Sequence, residues 1–254
     1  MVDIYLGTIA IEPSRWAWMS EEAPAPIAVS PWLDRIADAG FDGVELWEAH
    51  VRQADEAEAA AVFAHPLPVA VFNTYVGFDN EDDTERDEAA EWIRRSGARK
   101  AKWNTGPERD AGSIAAYRDR AERFAASLPD VELVCECHDG SAMDDPATAA
   151  TVLAAGSSAL FHSHDDADLI AAKFAAYGER LTHVHVNHLF SGSPKLADIR
   201  DELAAKVDLV RGLGFDGSWT VEFVHGTGDG ELDQPETMFA QAVEDLDVLR
   251  ALLV

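Results

Sequence analysis

The chain has 254 residues, of which 47% are hydrophobic, and carries 47 acidic against 20 basic residues, a formal net charge of −27. That apolar content excludes wholesale disorder, and the negative field disfavours nucleic acid and anionic membranes as partners. No apolar run approaches the ~18 residues of a membrane span, and no basic stretch precedes an apolar one at the start, so a cytoplasmic protein is expected.

Short β-rich runs alternate with helix-period segments along the whole length. "DIYLGTIAI" (3–11) predicts the first strand. "SPWLDRIADA" (30–39) predicts a helix, with Ser30 as a cap, Pro31 in the first turn and Gly40 at the end. "GVELW" (43–47) is a strand, "ADEAEAAAVFAH" (54–65) a helix and "PVAVFNTYV" (68–76) a strand. Residues 81–98 form a helix with acids first and arginines last, as the helix dipole prefers. The pattern continues with strands at 99–105, 131–138, 158–164, 181–188 and 217–224, and helices at 113–128, 144–156, 168–178, 198–214 and 235–253. Eight strands and eight helices in strict alternation, with no linker and no Gly-rich phosphate loop after the first strand, predict one closed (β/α)8 barrel spanning 1–254.

Two compositional details bear on the environment. Only five residues are lysine, and the acids are spread over every helical segment, so self-repulsion calls for screening and adaptation to high salt (a halophilic protein) is expected. Cys135 and Cys137 share one side of a strand and read as buried free thiols. They make no zinc site by themselves.

"GFDG" occurs twice, at 40–43 and 214–217, each time ending a helix and opening a strand, with a glutamate eight residues after its first Gly (Glu48, Glu222). The turn itself is scaffold: Gly40 and Gly214 suit a left-handed cap, and the Phe packs under the helix. Chemistry belongs at the other end of the strands, where barrels build their sites. There the late strands carry polar residues where branched apolar ones are the rule. Alternation puts Glu136 and His138 on one side, His162 and His164 on one side, His183, His185 and Asn187 on one side, and Thr220 and Glu222 on one side. Carboxylates and imidazoles converging from neighbouring strands suit a divalent ion such as Mn, Zn, Co or Mg. Trp47, Glu48 and His50, after the second strand, are candidates for the rim of a sugar pocket. Glu45 has the opposite parity to Glu48, so only one should face inward unless a bulge intervenes. Lys102 is a candidate for holding a substrate carboxylate or phosphate, or for a salt bridge across the barrel; Asn73 and Asn104 end the third and fourth strands.

"AGFDGVELWEAH", "LVCECHDG", "LTHVHVNH" and "GFDGSWTVEF", in this order and spacing over essentially the whole chain, resemble the xylose isomerase-like TIM barrels, the sugar phosphate isomerase and epimerase superfamily. The resemblance implies Glu136, His185 and Glu222 as metal ligands, with Glu136 and Glu222 as the catalytic pair that moves a proton at a carbon next to a carbonyl. The sixth strand departs from the family: "FHSHDD" places His162 where an Asp is usual, with His164 as the alternative, and His188 replaces an Asp after the seventh strand. The implied function is a metal-dependent isomerase or epimerase of a sugar, keto-sugar or cyclitol. The alternative is a lyase or dehydratase on the same barrel, with His138, His162, His164 and His188 as extra acids or substrate contacts. A DNA-repair endonuclease of the superfamily fits poorly with the charge, and a non-catalytic barrel is separated by a metal-content measurement. Homo-oligomerisation stays open.

Overall fold

The computed structural model describes residues 2–15, 25–137, 140–154, 156–186 and 194–254. Eight parallel strands close into a barrel in sequence order: β1 Ile4–Gly7, β2 Gly43–Trp47, β3 Val69–Asn73, β4 Lys100–Trp103, β5 Glu132–Glu136, β6 Ser158–His162, β7 Leu181–Val186 and β8 Ser218–Val221. β8 pairs with β1 through Tyr5 and Thr220, which completes the ring. The strand-to-strand connections carry α1 Ser30–Asp38, α2 Ala49–Arg52, α3 Glu56–Ala64, α4 Thr84–Ser96, α5 Ala111–Ser127, α6 Pro146–Leu153, α7 Ala167–Tyr177 and α8 Arg200–Gly212, and α9 Pro235–Leu252 follows β8. The predicted alternation is therefore present, with β2 at its predicted bounds, the other seven strands shorter than their predicted runs, and one extra short helix among the described residues, α2.

Local chemistry sets the boundaries. Asp55, Asp110, Asp145 and Asp166 each accept a backbone N–H of the helix that follows, the usual N-cap arrangement. Ser30 does not cap α1. It is the first helical residue, and its hydroxyl donates to Glu58 Oε2 at 2.6 Å while its N–H donates to Glu58 Oε1. The two "GFDG" turns are built alike. Gly40 and Gly214 have φ of +96° and +87°, and the N–H of Phe41 and of Phe215 reaches back to Ile36 O and Val210 O. The second glycine answers a different need: a Cβ at Gly217 would collide with Thr182 O, so only a bare Cα fits against β7.

Apolar residues on the outer face of the strands, such as Val184, Val186 and Cys135, pack against the helices, and both cysteines are buried and free. The inside of the barrel is polar at mid-height. The register shifts in the β2–β3 pairing at Val44/Glu45, where β3 carries the extra residue Ala70, and in the β6–β7 pairing at Ala159/Leu160, where β7 carries the extra residue Thr182. The seam between the first and last units is pinned from both ends. Arg15, fully buried, donates to both oxygens of Asp233 and to Ile9 O and Ala10 O. Arg250 donates to Val2 O, Gly40 O and Asp42.

Candidate active site

The C-terminal ends of β5 to β8 bring four side chains to one point. Glu136 ends β5 and His162 ends β6; His185 lies next to the end of β7, and Glu222 follows β8 directly, its N–H bonded to Val186 O at 3.0 Å. The register pairs His162 with His185. His162 Nε2 is 3.2 Å from Glu136 Oε1, and His185 Nδ1 is 2.9 Å from Glu222 Oε2 and 3.6 Å from Glu136 Oε1. All four residues are buried, and one ligand atom from each lies within 4.8 Å of the others. His164, two residues on, is exposed and shares a second group only with His162 and Asp165. Asp165 is itself held by Lys173 Nζ at 2.6 Å. The two readings of the sixth strand thus part: His162 joins the quartet, and His164 stands outside it.

The donor set fits a divalent metal. His185 Nδ1 is buried and makes no hydrogen bond, although Glu222 Oε2 lies at ion-pair distance, 2.9 Å away. A lone pair so placed between two carboxylates and a second imidazole is the arrangement of a ligand cage. Two imidazoles and two carboxylates favour Zn, Mn or Co over Mg.

Charge around the quartet is uneven. Burial pushes the Glu136 carboxyl up, but the Lys102 ammonium and the two histidines outweigh it and hold it well below the usual carboxylate range. Lys102 Nζ donates to Glu136 Oε2 at 2.7 Å, Asn104 Nδ2 donates to the same oxygen at 2.9 Å, and the ammonium sits 4.0 Å from the centre of the Tyr75 ring. Lys102, fully buried, thus makes a salt bridge to the neighbouring strand β5 and not across the barrel. Burial lowers the His162 imidazole. It lowers His185 too, but the Glu222 and Glu45 charges win and hold that group well above its ordinary value. A proton and a metal cation therefore compete for His185 Nδ1.

Three expected pocket residues have buried partners of their own. Glu48 follows β2 and caps the loop after β3, accepting from Thr74 Oγ1 at 2.8 Å and Tyr75 N at 2.7 Å, with Arg52 at 3.0 Å. His50 is fully buried, its two ring nitrogens 2.9 Å from Thr8 Oγ1 and 3.0 Å from Glu12 Oε2. Both side chains tie loops together, and strand alternation stops at residue 49, where the chain turns into α2. Trp47 is buried in a small cluster with Ile9, Ala49, Phe223 and Tyr75. His138, Asn187 and His188 lie outside the described residues. Tyr75, under the Lys102 ammonium, carried no sequence signal; Glu45, discussed below, had its mid-strand parity. Among the described residues, a cavity of about 920 Å³ lies at the opposite end of the barrel, lined by Tyr5, Lys100, Phe215 and Ser218 among others. It is remote from the quartet, so volume and chemistry point to different ends, and the ligand geometry is the better guide.

No family model matches the chain, and no curated protein matches it significantly by sequence. Solved structures do match in fold. A xylose isomerase domain containing protein from Salmonella typhimurium LT2 superposes with a TM-score of 0.67 at 13% identity, over 98% of this chain and 97% of that one. The probable 3-DHS dehydratase AsbF of petrobactin synthesis from Bacillus anthracis gives 0.67 at 13%, over 97% and 99%. The 3-keto-D-glucoside 4-epimerase YcjR from E. coli gives 0.62 at 15%, over 95% and 99%. The fold is that of the xylose isomerase-like TIM barrels. The IolI protein, solved with a bound zinc atom, and endonuclease IV from Thermus thermophilus share it at 12% and 14% identity.

Proposed function

We propose that this barrel is a divalent-metal-dependent isomerase or epimerase of a sugar, keto-sugar or cyclitol. The observation that carries the reading is the Glu136–His162–His185–Glu222 quartet at the C-terminal rim, where carboxylates from β5 and β8 approach one imidazole from two sides. When bound, the ion supplies Lewis acidity toward an oxygen next to the reacting carbon. The protein's own part is proton transfer. One carboxylate takes the proton from a carbon beside a carbonyl, and the other returns a proton to the opposite face or to the neighbouring carbon. Lys102 and Asn104 fix the Glu136 carboxylate through one oxygen and leave the other toward the histidines. The Lys102 ammonium depresses the basicity of Glu136. YcjR, an epimerase of the same fold, and IolI, solved with zinc, support this reading.

The second reading is a lyase or dehydratase, which the likeness to AsbF favours. It shares the first step and ends with a proton delivered to a departing hydroxyl, with water as the product. Endonuclease IV has the same barrel, but a net charge of −27 opposes binding to a phosphate backbone, so a small, sugar-like molecule is the proposed substrate. Among the described residues no helix is long and apolar enough to cross a membrane.

The test is turnover of a panel of keto-sugars and cyclitols in heavy water, by protein of measured metal content. Deuterium at the carbon next to the carbonyl with isomeric products supports the isomerase, and loss of water supports the lyase. Turnover without deuterium incorporation rejects both.

A further inference from the structure

Directly beneath the quartet, Glu45 is buried in the middle of the barrel with 1% of its surface exposed. A carboxylate there is costly unless it is fully paired. Its three partners come from two other strands, β3 and β7. Asn73 Nδ2 donates to Oε1 at 2.9 Å, His183 Nε2 lies 3.2 Å from Oε2, and His185 Nε2 lies 3.1 Å from both oxygens.

We propose that Glu45 is a positioning residue that fixes the tautomer and ring orientation of His185, and so aims its bare Nδ1 at the metal held by the quartet. The inference rests on the metal reading above. An ionised carboxylate can only accept, so each nitrogen facing Glu45 must donate. A singly protonated His185 therefore keeps its hydrogen on Nε2 and its lone pair on Nδ1. Nδ1 is the atom that is buried, free of hydrogen bonds, and 2.9 Å from Glu222. Carboxylates that hold the far nitrogen of a ligating histidine raise its basicity and fix its ring.

His183 is the companion piece. It presents Nε2 to Glu45 and places Nδ1 2.8 Å from Ser218 Oγ, with Thr220 Oγ1 3.0 Å from Nε2. With Nε2 donating, Nδ1 accepts, so the Ser218 hydroxyl donates to it. The His183–Ser218 pair thus restrains Glu45 through the same oxygen, Oε2, that His185 also faces. β2, which the resemblance to known barrels left without a metal ligand, contributes to the site from one layer below.

Glu45, His183 and His185 also group closely enough to hold an ion of their own. That alternative requires both Nε2 hydrogens to leave at once from atoms that are already paired, so the hydrogen-bonded arrangement is favoured.

The experiment compares wild type with Glu45→Gln and Glu45→Asp by zinc and manganese competition against a chromophoric chelator. Nitrogen-15 NMR of the imidazoles in the zinc-loaded proteins is read alongside. Glutamine keeps the size but offers both a donor and an acceptor, so it no longer dictates which His185 nitrogen is protonated. Expected are one ion per chain in wild type, a His185 proton on Nε2, a 10–100-fold weaker metal affinity in Glu45→Gln, and partial rescue in Glu45→Asp. Val210→Ala, a cavity in α8 away from the site, controls for instability and should bind as wild type does. If Glu45→Gln fails to fold, the wild-type spectrum still decides: a zinc-loaded His185 with its proton on Nδ1 overturns the proposal. So do two ions per chain, or a folded Glu45→Gln that binds as tightly as wild type. A wild type that binds no divalent metal removes the metal reading itself, and this proposal with it.

Discussion

Replacing Lys102 by Met separates the charge of the buried pair from its volume. In the native protein the ammonium is fully buried, 2.7 Å from Glu136 Oε2. At that distance and an effective dielectric of about 20, the attraction is about 6 kcal/mol. Methionine fills most of the space and spares the burial of an ammonium, which offsets part of the loss. Asn104 and His162 still face the orphaned carboxylate. Removing one partner of a buried pair usually costs ~3–5 kcal/mol, so ~2–4 kcal/mol is expected for the metal-free protein. The pH window follows from the two shifts. The Glu136 carboxyl is held below its ordinary value, so its stabilisation is present above the unfolded carboxylate pKa and lost as pH falls through the folded one. The Lys102 ammonium is held above its ordinary value, because the nearby Glu136 charge outweighs burial, so its stabilisation is present below the unfolded lysine pKa and lost as pH rises. The gap between the two proteins is therefore widest between ~pH 5 and 10 and closes toward acid. A bound divalent ion also neutralises Glu136, so saturating zinc should stabilise Lys102→Met more than wild type. Urea denaturation with chelator and with zinc, at several pH values, measures all of this. A chelated Lys102→Met within ~1 kcal/mol of wild type at pH 7 would falsify the view that Lys102 is what keeps a charged Glu136 in the barrel.

Other outcomes can be checked alongside. Glu222→Gln and Glu136→Gln should each lose ~10²–10⁴ in rate and in deuterium exchange, and a variant that exchanges at the full rate marks that residue as a ligand only. Melting temperature should rise steeply from low to molar KCl, since the surplus of 27 negative charges needs screening; a flat or falling curve rejects adaptation to salt. Asp245, 3% exposed in α9, accepts from Leu196 N and Gln241 Nε2, and burial raises its carboxyl to about 6. Its folded state holds a proton that the unfolded state has released between pH 4 and 6, so stability falls as pH rises through that range, by up to ~3 kcal/mol. Asp245→Asn keeps the acceptor and should be ~1–3 kcal/mol more stable at pH 7 and indistinguishable near pH 4; equal stability at both pH values contradicts this.

The barrel was legible because its signal is local: apolar runs alternate with helical periods, and the "GFDG" turns mark helix ends. Glu136, His185 and Glu222 were legible because parity within a strand decides which way a side chain points. Parity failed wherever the chain left the strand. Glu48 and His50 lie past the end of β2, at the start of α2. His162 is the last residue of β6 and His164 lies beyond it, so their shared parity does not choose between them. The contact of Lys102 with Glu136 joins the neighbouring strands β4 and β5 across 34 positions, and that of Glu45 with His185 joins β2 and β7 across 140 positions, which only closure of the barrel brings together.

The seam has a kinetic side. β1 is made first, yet its second edge is covered only by β8, and Arg15 meets Asp233 across 218 positions of chain. Until residues 218–221 arrive, one edge of β1 and the guanidinium of Arg15 have no native partner on that side. Loops this long close late and slowly. An open parallel sheet with a free edge is also the species most prone to pair with a neighbour. Refolding should therefore lose yield as concentration rises, and the loss should grow when Asp233 is removed, because the last unit then has less to hold the first.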